Sequence, residues 1–278
     1  MTRPITSMAL FCDFENIALG VRDAKYAKFD IDRVLERLLL KGSIVVKKAY
    51  CDWERYKEFK GPMHEASFEL IEIPHLRISG KNSADIRLVV DALDLCYTKE
   101  HVDAFVIISG DSDFSPLVSK LRENNKTVIG VGVKSSTSDL LMANCDEFIF
   151  YDDLVRRSSQ KGQRSRRKTP AKTAAPEAPK DVAKVESAKN DEERKQQAFD
   201  LVMDTIEALA DERDAGEKIW GSMVKQALKR RNPGFDESYF GFRSFSDLLQ
   251  DAQSHKLLEL EADQKSGGYV IRRVVREE

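Results

Sequence analysis

The sequence predicts an α/β protein with a mostly parallel sheet, followed by a small winged-helix domain. Short apolar runs alternate with helical patterns over residues 1–155, as they do in βαβ units. Residues 105–108 are four consecutive apolar residues, a pattern typical of a strand buried on both faces of a parallel sheet. From residue 195 onward, three helical patterns precede a hairpin pattern, which is the element order of a winged helix.

The elements of the first domain follow from these patterns. The predicted strands cover residues 8–12, 43–51, 69–73, 105–108, 127–132 and 147–150. The strand at 69–73 alternates in polarity, which favours the edge of the sheet. Ser83 is the predicted N-cap of its helix. The predicted helices cover residues 31–40, 55–66, 83–97, 114–123 and 138–144.

In the second domain, a stripe from Phe199 to Leu209 marks the first helix, and a second ends near residue 231. Phe240, Phe242 and Phe245 are assigned to the third helix. Residues 257–260 and 269–271, separated by a Gly-containing turn, predict the hairpin.

Charge is segregated along the 278 residues, although the net charge is only −2. Residues 1–155 carry −5, residues 156–194 carry +6 and residues 195–278 carry −3. The middle stretch has almost no large apolar residue, so it is predicted to be a disordered basic linker between two domains. Two interpretations of it stay open: a tether that contacts phosphates electrostatically, and a solvated linker without further function.

The cysteines and the apolar runs bear on the cellular compartment. None of the four cysteines forms a CxxC pair, so neither a zinc site nor a disulfide framework is indicated. Buried, unreactive thiols in a reducing compartment are expected. The N-terminal residues lack a signal-peptide pattern, and no apolar run is as long as a membrane span requires. We therefore expect a soluble cytoplasmic protein that does not insert into membranes.

Acidic residues follow the ends of two predicted strands. Asp13 ends the first strand, and Asp111 and Asp113 come just after the strand at 105–108. In open α/β sheets, ligand-binding groups lie at the carboxyl ends of the parallel strands. Asp85, in the first turn of its helix, is expected to lie near Asp13, Asp111 and Asp113 there. Asp91 lies about 240° further round that helix and would face elsewhere. Crowded carboxylates favour a cation or a proton between them.

Three interpretations of this cluster stay open. The residues could bind Mg²⁺ or Mn²⁺, which prefer oxygen ligands. They could form a general acid/base pair. Alternatively, Asp111 caps the following helix and Asp113 is a solvated turn residue. The four histidines show no ligand spacing, and phosphate-loop, dinucleotide, nucleophile-elbow and zinc-protease motifs are absent. Metal-assisted phosphodiester hydrolysis fits this pattern best.

Three segments together resemble the NYN domain family, which is related to PIN-like nucleases. They are residues 10–16 (LFCDFEN), 81–85 (KNSAD) and 109–114 (SGDSDF), and the resemblance spans residues 5–152. It implies a Rossmann-like three-layer α/β/α sandwich, an acidic Mg²⁺ or Mn²⁺ site and ribonuclease activity. The metal ligands it implies are Asp13, Asp85, Asp111 and Asp113. It also implies that Asn16 contacts a metal-bound water or a phosphate, with Ser109 hydrogen-bonded in the site and Asp91 as a weaker candidate.

Residues 220–236 and 239–249 resemble the OST-HTH/LOTUS domain, which is associated with RNA binding and with protein partners. A basic face beside Tyr239 and Phe240 would contact phosphates and stack on unpaired bases. The alternative is that the phenylalanines are core residues and that the cations form a solvated helix end. The candidate RNA-binding residues are Lys225, Lys229, Arg230, Arg231 and Arg243.

The leading hypothesis is a metal-dependent ribonuclease acting on single-stranded or structured RNA, which the C-terminal domain holds. A non-catalytic RNA-binding or adaptor protein that keeps the fold is the alternative. A phosphatase of the haloacid dehalogenase type ranks low. That class needs Asp-x-Asp after its first strand, and here Glu15 stands where the second aspartate of the motif would be. Self-association, by analogy with other PIN-like domains, and a protein partner are left open.

Overall fold

A computed structural model describes residues 5–73, 82–156, 181–211, 218–263 and 268–274. The chain divides into two units, Met1–Ser165 and Arg166–Glu278, which are described separately. Within the described ranges, no helix combines the length and the apolar character that a membrane crossing requires.

The first unit is built on a six-stranded sheet in the order β3-β2-β1-β4-β5-β6, and every pair of neighbouring strands is parallel. This confirms the predicted parallel sheet, and β3 lies at an edge as its alternating pattern indicated. The strands are β1 (Ser7–Asp13), β2 (Ser43–Cys51), β3 (Glu69–Glu72), β4 (Ala104–Ile108), β5 (Thr127–Gly132) and β6 (Glu147–Phe150).

Helices cover both faces of this sheet. In β1, Met8, Leu10 and Cys12 join the core shared with α1, α2 and α3, whereas Ala9 and Phe11 join the core shared with α4, α5 and α6. A strand buried on both faces confirms the three-layer α/β/α architecture. The helices are α1 (Phe14–Asp23), α2 (Ile31–Leu39), α3 (Lys57–Glu65), α4 (Ser83–Thr98), α5 (Ser115–Glu123) and α6 (Asp139–Asn144).

Two local features differ from the sequence-based expectations. Helix α1 was not predicted, and it starts directly after β1 because the Asp13 carboxylate accepts a hydrogen bond from the Asn16 N–H at 3.4 Å. The predicted N-cap at Ser83 was wrong. Asn82 occupies the N-cap of α4 without a side-chain capping bond, and Ser83 is the first helical residue.

Among its described residues, the second unit has three helices and a small antiparallel sheet in the order β7-β9-β8, which confirms the winged-helix prediction. Its core joins side chains of all three helices and the sheet, including Phe199, Leu228, Leu248 and Ile271. The elements are α7 (Asp181–Asp211), β7 (Ile219–Trp220), α8 (Gly221–Arg231), α9 (Phe245–Ser254), β8 (Leu258–Ala262) and β9 (Tyr269–Val274).

The boundaries of this unit differ in two places from those predicted. Helix α7 begins at Asp181, so the last part of the predicted linker 156–194 is helical, while residues 157–180 of it lie outside the described residues. The third helix starts only at Phe245, where the Ser244 side chain caps it. Phe240 and Phe242 lie in the preceding turn, where Gly241 adopts a positive φ of 91°.

Candidate active site

The acidic residues gather where β1 and β4 run side by side. Cys12 pairs with Ile108 in the sheet, so the next residues on the two strands, Asp13 and Ser109, emerge together at the carboxyl edge. The chain leaves β1 towards β2 and leaves β4 towards β5, on opposite sides. This is the topological switch point at which open α/β sheets bind ligands.

A short hydrogen-bond network fixes the turn after β4. The Ser109 hydroxyl donates to Asp13 Oδ2 at 2.9 Å and accepts from the Asp111 N–H at 3.2 Å. The Gly110 N–H donates to Asn16 Oδ1 at 2.9 Å. The network therefore joins the residues after β1 to those after β4, and both strand ends become one preformed edge.

Burial and like charges make this edge electrostatically strained. Burial, followed by the charges of Asp85 and Asp111, raises the pKa of Asp13 to about 7. The hydrogen bonds that Asp13 accepts from Ser109 and Asn16 oppose this rise. Burial, followed by the charges of Asp111 and Asp113, also raises the pKa of Asp85. In the described part of the chain, no lysine or arginine forms an ion pair with these four aspartates.

Asp111 also has the capping role that the sequence left open. Its Oδ1 accepts from the Asp113 N–H at 3.0 Å and so caps the 3₁₀ turn Ser112–Phe114. One carboxylate oxygen can cap a turn while the other faces the cluster, so the capping and ligand interpretations are compatible.

Asp91 is not brought into this cluster. It accepts from the Tyr50 hydroxyl at 2.9 Å and pairs with Arg87 at 3.0 Å and Lys48 at 3.4 Å. These contacts tie α4 to β2 and leave Asp91 fully engaged. Asp85 is the residue of α4 that interacts electrostatically with the acidic cluster, and the sequence favoured it because it lies nearer the start of the helix.

The fit of a divalent metal to this edge depends on its donor set of carboxylate oxygens. Within the described ranges, no three His, Cys, Asp or Glu side chains lie close enough to enclose a metal together. Mg²⁺, however, usually keeps several waters and binds through one or two carboxylates. An all-oxygen cluster with raised carboxylate pKa values suits a hydrated hard cation, so the residues fit Mg²⁺ or Mn²⁺ in this mode.

Two neighbours of the site were missed in the sequence. The loop after β5 packs on Gly110: the Ser138 N–H donates to the Gly110 carbonyl at 2.9 Å, and an added Gly110 Cβ would lie 2.4 Å from the Ser136 carbonyl oxygen. Glu15 is a further negative charge that raises the pKa of Asp85, and its carboxylate pairs with Arg55 at 3.2 Å. The glycine in SGDSDF was the one sequence signal of a close backbone approach.

The candidate RNA-binding residues of the winged helix differ in whether they already have partners within the protein. Lys225 pairs with Glu237 at 2.7 Å, and Arg231 donates to the Asp204 carbonyl at 3.2 Å. Lys229 is half-buried, while Arg230 and Arg243 are exposed. For these three side chains the described structure shows no ion pair.

The aromatic residues of this unit belong to the core. Phe240, Phe242 and Phe245 are each at least nine-tenths buried, and Phe240 stacks on Phe235. Of the two interpretations of these phenylalanines, the structure supports the one that assigns them to the core, because their rings join the core cluster of this unit. Tyr239 is half-buried, with the Arg194 guanidinium 5.3 Å from its ring centre.

A parallel sheet in this strand order, with carboxylates at its switch point, defines a Rossmann-like α/β domain of the PIN-like class. The chain belongs to the NYN domain family, whose profile matches residues 7–152. The OST-HTH/LOTUS domain profile matches residues 199–270 in the second unit.

Two relatives show how far the likeness extends. Over 129 residues the chain is 29% identical to an uncharacterized protein of Methanocaldococcus jannaschii, covering 45% of this chain and 49% of that protein, so the chain spans about half the length of this curated relative. A crystal structure of a protein of unknown function from Vibrio parahaemolyticus is 26% identical, with a TM-score of 0.48, and covers 55% of this chain and 98% of that one.

Proposed function

We propose that this protein is a metal-dependent ribonuclease that hydrolyses RNA phosphodiester bonds at the acidic edge of its first domain. The observation that carries the proposal is the concentration of Asp13, Asp85, Asp111 and Asp113 without an ion pair to a described lysine or arginine. A surface that only binds RNA gains nothing from carboxylates, because they repel phosphate. With a divalent cation bound, the net charge of the cluster would attract phosphate instead of repelling it.

Each residue of the edge has a distinct role in this proposal. Asp13, Asp85, Asp111 and Asp113 would hold a hydrated cation, one or two of them directly and the others through its waters, and Ser109 orients the first of them. Mg²⁺ or Mn²⁺, when bound, supplies Lewis acidity towards the phosphate and the attacking water. Asn16 uses its Oδ1 to accept from Gly110, which leaves its amide N–H groups to donate to a phosphate oxygen.

The winged helix is proposed to hold the RNA strand. Lys229, Arg230 and Arg243 are the cations best placed to contact phosphates, whereas Lys225 and Arg231 already have protein partners. Two further interactions stay open in this proposal. The winged helix could bind a protein partner, and the first domain could self-associate. All four cysteines are free and buried, which supports action in the reducing cytoplasm.

The test is cleavage of labelled single-stranded RNA and DNA in Mg²⁺, Mn²⁺ or EDTA. Wild type is compared with the double variant Asp111→Asn/Asp113→Asn, and Asp94→Asn, an exposed residue of α4, is the matched control. We expect RNA cleavage that EDTA abolishes, that the double variant lowers by about 100-fold or more and that the control retains. Cleavage that the double variant retains would refute this site.

A non-catalytic RNA-binding adaptor is the second candidate. The OST-HTH/LOTUS match and the absence of a three-ligand group among the described residues favour it. It predicts RNA binding that neither EDTA nor Asp111→Asn/Asp113→Asn changes, together with no cleavage in either metal.

A further inference from the structure

A groove of about 750 Å³ adjoins the acidic edge of the first domain. Asp85 and Asp113 belong to both the groove and the acidic cluster, so the two are continuous. Its size lies within the usual range of small-molecule sites. The groove runs between α4 and the segment from Ser112 to Ser119.

The walls of the groove are apolar and exposed. Ile86, Val90 and Leu140 are 62%, 55% and 59% exposed, which is unusual for large aliphatic side chains in one place. Among the lining residues of this groove, none is a lysine or an arginine. The walls therefore suit the uncharged, flat part of a ligand and do not suit a phosphate.

A buried hydroxyl at the groove lacks a partner. Ser115 is only 6% exposed, and its Oγ has no hydrogen bond in the described structure. An unsatisfied buried polar group is costly, and a ligand with a polar edge would relieve that cost. Asn82, Ser112 and Ser119 add further polar groups along the same walls.

From these features we infer that the groove binds unpaired nucleobases of the RNA strand beside the bond to be cleaved. This inference rests on the proposed function, which places the scissile phosphate at the acidic edge. A base has apolar faces for the aliphatic walls and a polar edge for Ser115. Bases stacked within a duplex do not enter such a groove, so the substrate class is single-stranded RNA.

A second copy of the chain is a poorer occupant. An interface formed on this groove would bury Asp85 and Asp113, whose surroundings already crowd negative charge. A two-fold interface would also bring the same carboxylates of both copies towards each other. RNA adds no such cost where a divalent cation neutralises both the carboxylates and the phosphate.

The experiment is photo-crosslinking of the full chain to single-stranded RNA carrying 4-thiouridine, in Mg²⁺, with the crosslinked peptides located by mass spectrometry. The variant Ile86→Ser/Val90→Ser is compared with the control Leu39→Ser/Leu40→Ser, whose residues are also more than half exposed but lie at the end of α2. The oligomeric state of every variant is measured by light scattering.

We expect crosslinks in peptides spanning residues 82–90 or 112–119, a loss of about fivefold or more in the groove variant, and no change in the control. A duplex of the same sequence should abolish these crosslinks. Crosslinks confined to other peptides would overturn the inference, as would a dimer in wild type that the groove variant dissolves. Groove crosslinks without metal-dependent cleavage would uphold base binding in the groove and refute the ribonuclease.

Discussion

At the scale of single residues, Ser109 couples the two halves of the acidic edge. Its hydroxyl donates to Asp13 and accepts from the backbone of Asp111, so one side chain orients carboxylates that follow different strands. The donated bond favours the charged form of Asp13 and opposes the effect of burial on its pKa.

Replacing Ser109 should therefore change the pH dependence of cleavage. In Ser109→Ala the pKa of Asp13 rises further, and we expect cleavage at neutral pH to fall by about tenfold and to recover in part at higher pH. The check is the cleavage rate measured as a function of pH. Ser135→Ala, an exposed serine, is the control and should keep the wild-type profile. A uniform loss at every pH would contradict this explanation.

Asp13 itself should make stability depend on pH. Its folded-state pKa of about 7 lies above the unfolded value, so its ionisation costs folding free energy, beginning above the unfolded pKa and complete above the folded one. Asp13→Asn removes this cost. Without metal, we expect the variant to melt on the order of 5 °C above wild type near pH 8, and the difference to vanish near pH 4.5.

Thermal melts of metal-free protein at the two pH values provide the measurement. Asp94→Asn should melt like wild type at both, because Asp94 is exposed. An Asp13→Asn gain of equal size at both pH values would show that ionisation is not its cause.

At the scale of elements, the turn after β4 depends on the loop after β5. The Gly110 carbonyl accepts from the Ser138 N–H, and the space beside its Cα is filled by the backbone of Ser136 and Thr137. Two loops of different strands are thus packed backbone to backbone, and Asp111 follows directly from this contact.

Gly110→Ala should accordingly disturb both stability and the site. Its Cβ would lie 2.4 Å from the Ser136 carbonyl oxygen, which is backbone and cannot turn away. We expect a loss of about 1–3 kcal/mol in the free energy of unfolding. Denaturant unfolding measures this loss.

Gly61→Ala is the matched control, because nothing lies within 4 Å of the Cβ it would add. Because Gly61 lies within α3, where alanine is favoured over glycine, this change should not lower the unfolding free energy and should raise it by at most about 1 kcal/mol. An undiminished stability in Gly110→Ala would mean that the loop after β5 yields without cost.

At the scale of the whole molecule, the two units divide the chemistry. The first carries the acidic edge and the exposed apolar groove, and the second carries basic residues on a domain whose aromatic residues are used for its own core. We therefore propose that RNA contact through the second unit depends on charge more than on stacking.

Lys229→Ala/Arg230→Ala, which changes the net charge by as much as the control Lys256→Glu, should weaken RNA binding by the full chain by about tenfold and make it less dependent on salt. The measurement is fluorescence anisotropy of labelled single-stranded RNA at several salt concentrations. Lys256→Glu, an exposed cation of the same unit, is the control. Equal losses in both variants would point to a general effect of net charge instead of a local RNA contact.

The sequence by itself determined the element types, the two-unit order and the identity of the acidic residues. Apolar runs and helical periodicity are local consequences of burial, so strands such as 105–108 are readable without a structure. Helix α1 was not predicted because its stretch of periodic apolar residues is short. Its start also depends on a cap by Asp13, a residue already assigned to a strand end.

Only the tertiary structure decided what these residues do together. Asp13 and Ser109 are 96 positions apart, and the placing of β4 beside β1 brings them into hydrogen-bond contact. Burial in the folded domain and the neighbouring Asp85 charge raise the pKa of Asp13. The same holds for Phe240, whose burial depends on packing against distant helices, and for the groove between α4 and α5. Local patterns specify what a segment prefers, but proximity, burial and charge crowding are properties of contacts between segments.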